Sequence, residues 1–455
     1  MTDKNEDKQN IPQLMKKVAG ELKPSSDLIQ TPLKIEDKHA TLLYIKTVVD
    51  GARIQDSIIR PFYELASQEH FEAYINSLPN KLELPADEQL PIDLTMGKLL
   101  IALGDQCALL DYRLVHTEQM LDAELEPTIH GPQLALSEDL ETNINVIRQR
   151  FNNKSLKVET PQLNDRTHRT IALLYDETIV KKQALKMVKQ KLEELDMSII
   201  QTSGDLQLYL NDSKVTLFPS TILTERPDRA VYNLNAGKVI LLVDGSPHAI
   251  LAPVIFFDFM VSMEDNYHTF LISKSTLALR YLGLLTCVLL PGLYIAFTAY
   301  NPDILRIELA LSVAGSRIGV PYPSFIEVIL MMIFIEFLTE ASIRLPKAIS
   351  GTATTVGGLI LGTALTDAGL ASNIMIIIVA LVAIATFIIP VNEMSFAIRI
   401  GRMLLVLFSS IFGLVGLTLG LLGSILYLTN KESFGETYLR LYWKDQKQEL
   451  KGTTK

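Results

Sequence analysis

Cysteine is almost missing. Only Cys107 and Cys287 occur in 455 residues, too few for a disulfide framework or a paired-cysteine metal site. Cys287 lies inside an apolar run, so the two are not expected to meet, and a reducing compartment fits. No glycine-rich loop ends in Gly-Lys-Ser/Thr. Gly237-Lys238 lacks the upstream glycine and is followed by Val239, which excludes a nucleotide-driven pump. His-Glu-x-x-His and Gly-x-Ser-x-Gly are also absent, and the seven histidines are scattered. The chain is therefore not read as an enzyme: no catalytic residue, metal or cofactor is expected. No apolar leader opens the chain, since residues 1–17 are polar and charged. That predicts a large N-terminal part that stays in the cytoplasm.

Charge is the second scarcity, and it is local. Ile374–Val391 runs 18 residues without a charge and Met403–Leu428 runs 26. A hydrocarbon core about 30 Å thick needs about 20 apolar residues of helix, and the backbone there must satisfy itself. Neither run shows the polar face of a soluble core helix. Of the 42 Lys and Arg, 13 lie in residues 276–455, leaving 29 before them. Of the 51 Asp and Glu, 11 lie there, leaving 40. The first 275 residues thus carry a net charge of −11, against +2 for the rest. So acidic a body is a poor nucleic-acid binder and is repelled by anionic lipid. The fold class expected is an α/β soluble N-terminal region of two subdomains, followed by an α-helical polytopic membrane domain of four to five spans.

Within the soluble part, residues 1–40 read as a flexible polar tail. Residues 41–155 read as the first α/β subdomain. Thr41–Val49 has the look of a strand, and Ser57–Ala66 and Glu69–Ser77 are spaced as helices. Leu99–Leu110 is strongly apolar, with Gly104-Asp105 as a possible turn. Leu134–Phe151 reads as a helix capped by Ser137, with Glu138, Asp139 and Glu141 in its first turn and Arg148 and Arg150 near its end. Residues 156–270 read as the second subdomain, in a β-α-β rhythm of Thr170–Tyr175, Thr178–Leu195 and Ser198–Ile200. Arg229–Leu234 and Lys238–Val243 are expected to pair as a hairpin about Asn235-Ala236-Gly237. Ahead of it sits a dense cluster, Glu225, Arg226, Asp228 and Arg229. It reads either as an internal salt-bridge network or as a contact between subunits or against the membrane domain.

Residues 275–428 form the expected membrane domain, and 429–455 a polar C-terminal tail. Phe325–Ile343 carries Glu336 near its middle. A carboxylate there costs on the order of 3 kcal/mol, so it faces water, an ion or a protein partner. Glu340 and Arg344, four apart, can pair on one helix face, or serve as coupling or intersubunit contacts. Gly351, Thr355, Gly358, Gly362, Thr366 and Gly369 recur at spacings of three and four. Such a stripe permits close helix packing, or lines a hydroxylated path if several copies face one axis. On the second reading the pore-lining candidates are Thr352, Thr354, Thr355, Val356, Leu359, Thr363 and Glu336. The uncharged part is short for a full crossing, so a re-entrant helix is possible there. Gly413, Gly416, Gly420 and Gly423 form a second stripe, read as helix packing. Lysines and arginines of the loops favour a cytoplasmic body. Five crossings would then put the lysine-containing tail outside, against that rule. Four full crossings with one re-entrant segment would not.

Several motifs fall in a fixed order. These are GPQLALSEDLETNINVIRQR (131–150), LFPSTILTERPDRAVYNLNAGKVILLVDGSPHAILAPV (217–254) and LPGLYIAF (290–297). EASIRLPKAI (340–349), GGLILGTALTDAGLAS (357–372) and ATFIIP (385–390) follow. In them the chain resembles the spore germination receptor A subunits over roughly residues 40–430. The resemblance implies an oligomeric, ligand-gated cation channel subunit, a homo-oligomeric ring in the spore inner membrane. It also implies two partners, a transporter-like B subunit that binds the nutrient and a lipoprotein C subunit. Two alternatives share the same motifs: an A-like subunit associated with the spore's dipicolinate-release channel, and a non-conducting scaffold of the receptor.

Overall fold

The computed structural model describes residues 11–104, 106–114, 121–161, 169–195, 199–211, 216–344, 355, 357–358, 360 and 362–440. Two compact units emerge. The first takes residues 1–214, 220–254 and 433–436; the second takes 215–219, 255–432 and 437–455.

Two five-stranded sheets make up the first unit. One has the order β1-β2-β4-β5-β3, from β1 (Leu28–Ile35), β2 (Lys38–Ile45), β3 (Lys81–Leu82), β4 (Lys98–Leu103) and β5 (Gln106–Asp111). The β4–β5 turn falls at the expected Gly104, whose φ is +54°. Residues 11–40 are not a tail. Helix α1 (Ile11–Leu22) buries Met15, Val18, Ala19 and Leu22 in the first sheet's core, and β1 pairs with β2 along its whole length. The polar composition masked an apolar stripe at helical spacing.

The second sheet has the order β6-β7-β9-β10-β8. Its strands are β6 (Leu156–Glu159), β7 (Ile171–Asp176), β8 (Ile222–Thr224), β9 (Val239–Val243) and β10 (Ala249–Ala252). All its pairings are antiparallel, so the expected β-α-β crossover is absent. Helices α3 (Lys182–Glu193) and α4 (Ser203–Leu210) follow β7; Ser198 lies outside the described residues, and Ile199 and Ile200 are not in a strand. The expected hairpin arm Arg229–Leu234 is instead part of helix α5 (Pro227–Asn235). Pro227 sits at its start, Asp228 in its first turn, and Ala230 and Leu234 are buried four apart. Gly237 does take a positive φ, +75°, but to end this helix rather than to turn a hairpin.

Helix α2 (Leu140–Arg150) ties the two sheets together. Its cap is Asp139, whose Oδ2 accepts from the Thr142 amide at 2.7 Å; Ser137 accepts one step earlier, from the Asp139 amide. The buried Arg148 donates from Nε and Nη2 to both oxygens of Asp27, each at 2.8 Å, and Asn145 donates to the Thr47 carbonyl. The Ser26 amide in turn donates to the Val158 carbonyl on β6 at 2.7 Å. Thus the segment before β1 is a structural joint.

The polar C-terminal tail also contributes. Phe434 is buried in the second sheet's core beneath the Lys191 ammonium, 4.6 Å from the ring centroid. Ser433 Oγ accepts from the Val254 amide and donates to the Ser220 carbonyl. The chain therefore leaves the first unit at Val254 and re-enters it at Ser433. Residues 441–455 lie outside the described residues.

The second unit is helical: α6 (Phe270–Ile295), α7 (Ile307–Ser316), α8 (Ser324–Arg344), α9 (Asn373–Phe387) and α10 (Asn392–Asn430). Among the described residues, 270–300 and 392–430 are long and apolar enough to cross a membrane. The expected single span 403–428 does not exist as such. Gly413 has φ +58° and ψ −134° inside α10, a backbone state reserved for glycine. An ideal Cβ on Gly416 would lie 2.0 Å from the Phe408 carbonyl oxygen, and one on Gly420 3.6 Å from Phe408 Cβ. In a straight helix those pairs stand about 12 and 18 Å apart at 1.5 Å per residue. So α10 is a hairpin of two antiparallel arms that touch through the glycine stripe, as small residues allow. Tyr300 fills the bend: its ring covers Gly413, and its hydroxyl donates to the Ser410 carbonyl at 2.5 Å.

Candidate functional site

The cluster Glu225–Arg229 turns inward. Arg226 is fully buried and grips Asp228 through two parallel bonds, Nε to Oδ1 at 3.0 Å and Nη2 to Oδ2 at 2.7 Å. Its Nη1 donates to the Glu126 carbonyl and to Thr128 Oγ1, each at 2.9 Å. Arg229 pairs with the Glu126 carboxylate at 2.8 Å, and Glu225 Oε1 accepts from the amides of Leu125 and Glu126. Of the two readings of Glu225, Arg226, Asp228 and Arg229, these bonds fit the internal salt-bridge network. Their bonds lie within one unit and hold the loop 121–136, which also pairs with itself through the Ala123 and Ala135 amides. Burial lowers the pKa of the neighbouring His248, while Glu225 and Glu126 pull it back up.

In the helical unit, α8 carries two acids that face protein. Glu327 is completely buried. Its Oε1 accepts from the Ser372 amide at 2.7 Å, and its Oε2 lies 3.3 Å from Arg317 Nε and 3.4 Å from the Tyr294 hydroxyl. Sequence reading gave this residue no role; its partners come from three separate stretches, and only the Pro-rich approach to α8 hinted at a fixed geometry.

Glu336 has no base one turn away on α8, and its partners sit on α10 instead. Arg402 Nη2 donates to Oε1 at 2.9 Å, and Arg399 Nη1 lies 3.2 Å from Oε2. Of the partners expected for Glu336, water, an ion or protein, the structure gives it protein: its carboxylate bridges two arginines. Arg402 also donates to Cys287 Sγ and Thr386 Oγ1, both at 3.2 Å. Glu340 and Arg344 pair with each other on an exposed face, through Nε and Nη2 at 2.9 and 2.6 Å.

Among the pore candidates, Thr352, Thr354, Val356 and Leu359 lie outside the described residues. Residues 355, 357, 358, 360 and 362–367 are helical. Thr355, Thr363 and Asp367 are all exposed. Thr363 and Asp367, four apart, lie on the same side of the helix. The exposed residues of this stretch are mixed: Thr355, Thr363 and Asp367 are polar, whereas Ile360, Ala364 and Ala368 are apolar. Asp367 was not among the pore candidates read from the sequence. Gly369 closes the stretch with φ +66°.

Residues 14–454 match the family model described as Bacillus/Clostridium GerA spore germination protein. Spore germination protein KA of Bacillus subtilis (strain 168) is 32% identical over 442 residues, covering 94% of this chain and 81% of that protein. Spore germination protein GerLA of Bacillus cereus is 35% identical over 329 residues, covering 71% and 67%. The crystal structure of the N-terminal domain of the A subunit of the Bacillus megaterium spore germinant receptor GerK3 aligns with a TM-score of 0.41. It shares 24% identity and covers 56% of this chain and 98% of that one. With the family model spanning nearly the whole sequence, the chain belongs to the GerA family of spore germination proteins.

Proposed function

We propose that this protein is the A subunit of a nutrient-responsive germination receptor, an oligomeric, gated cation channel of the spore inner membrane. It moves ions and transforms no substrate. Family membership supports the role in germination. The exposed Thr355, Thr363 and Asp367 side chains of this stretch carry the channel reading. A hydroxyl-and-carboxylate face in a bilayer must meet water or a partner, and copies arranged about an axis supply both. Rings are what head-to-tail contacts close into. A circle of Asp367 carboxylates at one mouth favours cations. A transporter-like B subunit and a lipoprotein C subunit complete the receptor and pass on the nutrient's binding as a shift between two states.

Topology supports the same picture. The chain leaves the soluble unit at Val254 and re-enters it at Ser433, which favours an even number of crossings. Of the two counts, four crossings fit this path better than five, and they agree with the preference of lysines and arginines for the cytoplasmic side.

Thiol modification tests the proposal. Thr363→Cys and Asp367→Cys, placed in the full receptor in vesicles, should let a charged, membrane-impermeant thiol reagent alter cation flux. Flux unmoved at every position from 355 to 367 would refute the conduit.

A further inference from the structure

Three of the most exposed large apolar side chains of the first unit sit on one loop: Leu121 is 77% exposed, Leu125 59% and Ile129 83%. The loop is nevertheless fixed. Buried Arg226 donates to the Glu126 carbonyl and to Thr128, Arg229 pairs with Glu126, and Glu225 accepts from the Leu125 and Glu126 amides. The Ala123 and Ala135 amides close the loop on itself, onto the Gln133 and Leu121 carbonyls. A rigid loop that holds aliphatic side chains in water is preorganised for a partner. Its apolar groups gain from cover, and little conformational freedom is left to lose.

Charge indicates which partner. Residues 121–136 contain Asp122, Glu124 and Glu126 and no lysine or arginine. That composition disfavours an anionic bilayer and suits a surface both apolar and basic. The same unit carries one at the start of α3. Ile179, just ahead of that helix, is 43% exposed. Lys182 and Lys186 stand four apart on the side of α3 turned away from buried Ala184, Val188 and Leu192. Both lysines are exposed and pair with no acid among the described residues. The acids around them are engaged or lie farther along. Glu177 pairs with Lys157, Glu436 pairs with Lys181, Glu194 accepts from Gln190, and Glu193 stands in the last turn of α3.

The two surfaces lie apart within one copy. Helix α3 packs Ala184, Val188 and Leu192 onto the sheet face of Leu173, Leu241 and Ile250. Helix α5 packs on β7 and β9, with Ala230 and Leu234 buried outside that cluster, and so covers the other face. The loop is bound at the first turn of α5, through Arg229. Ile179 lies past the other end of α5: a Cβ on Gly237 would stand 2.6 Å from the Ile179 carbonyl oxygen. A contact between the two surfaces therefore joins successive copies head to tail, the kind of contact that closes into a ring.

We propose that the loop 121–136 of one copy docks on the start of α3 in the next. Leu121, Leu125 and Ile129 cover the apolar ground around Ile179, and Asp122 and Glu124 meet Lys182 and Lys186. The contact rests on the ring proposed above and supplies its soluble-unit surface.

The test uses the full chain in detergent on a Cys107→Ser background, which leaves the buried Cys287. Leu125→Cys and Ile179→Cys in one chain should give a ladder of covalent oligomers with a short bis-maleimide. Either variant alone should give no more than the background, and the two single variants co-expressed should stop at dimers. Lys182→Glu with Lys186→Glu should slow formation of the ladder about fivefold, from the ~1 kcal/mol of exposed ion pairs. Asp122→Lys with Glu124→Lys, added to them, should restore it. Particle mass by light scattering separates this contact from the ring itself. A ring-sized particle without a ladder would overturn the contact and leave the ring, whereas a monomer would overturn both. Dimers from Leu125→Cys alone, the mark of a two-fold contact, or a ladder indifferent to charge reversal would overturn the proposal. So would shielding of Leu125→Cys from the reagent in single copies reconstituted into phosphatidylglycerol vesicles, which would assign the loop to the bilayer.

Discussion

Gly416 and Gly423 lie seven residues apart on the same arm of α10, yet their surroundings differ. A Cβ on Gly416 would stand 2.0 Å from the Phe408 carbonyl oxygen, 2.7 Å from its carbon and 2.9 Å from Phe412 Cβ. A Cβ on Gly423 would meet nothing within 4 Å. An ordinary contact is above 3 Å, so Gly416→Ala must push the two arms about 1 Å apart. Overpacking of that kind costs about 1–3 kcal/mol, and here the obstacle is backbone, which cannot rotate away. Alanine returns up to ~1 kcal/mol of helix propensity at both positions. Gly416→Ala should then lose about 1–2 kcal/mol, while Gly423→Ala stays neutral or gains slightly. The propensity gain is common to both, so at about 2–4 °C per kcal/mol for a unit of this size the two midpoints should differ by about 2–12 °C. Cys287 is buried in the same unit, so a thiol-reactive dye on a Cys107→Ser background reports its unfolding directly. Equal midpoints for the two variants would show that the arms do not meet at Gly416, and the hairpin reading of α10 would fall.

Other predictions concern the soluble unit. Burial holds the folded His248 pKa below its ordinary value of 6.5. Between that lowered value and about 6.5 the unfolded chain binds more protons, so stability should fall as pH drops through this window and level off below it. His248→Asn should flatten that limb of a stability–pH profile. Arg226→Lys keeps the charge but loses the fork that holds Asp228, Glu126 and Thr128. At least about 2 kcal/mol of local stability should go, read as an order-of-magnitude faster protease cleavage within residues 121–135. Phe434→Ala should cost about 3–5 kcal/mol of soluble-unit stability by chemical denaturation, although residue 434 lies in a segment that reads as a tail. The Cys107 thiol, half-buried and with a raised pKa, should label slowly at neutral pH compared with the same protein in denaturant.

The parts of this fold that were legible in the sequence are those governed by local periodicity. The apolar runs, the β4–β5 turn at Gly104 and helix α2 between two strand-rich stretches all follow from spacing and turn residues. What escaped depends on contacts remote in sequence. Helix α1 looked like a tail because Met15, Val18, Ala19 and Leu22 are diluted by lysines. Arg229–Leu234 alternated well enough to pass for a strand, although Pro227 and Asp228 already marked a helix start. Gly413 lay in a stripe that reads equally as packing, and only Tyr300, over a hundred residues away, turns it into a bend. Charge behaved likewise. Glu336 seemed unpartnered because its bases come from another helix, and the Glu225–Arg229 cluster seemed available because its acceptors lie a hundred residues upstream. Sequence flags a buried ionisable group well; which partner satisfies it is a tertiary fact.

Imaging the purified receptor along the bilayer normal bears most directly on the conduit. Several copies should surround a solvent-filled axis, with Thr355, Thr363 and Asp367 of each copy turned toward it. A lone copy, or a ring that directs those three side chains to lipid or into protein contacts, would contradict the account.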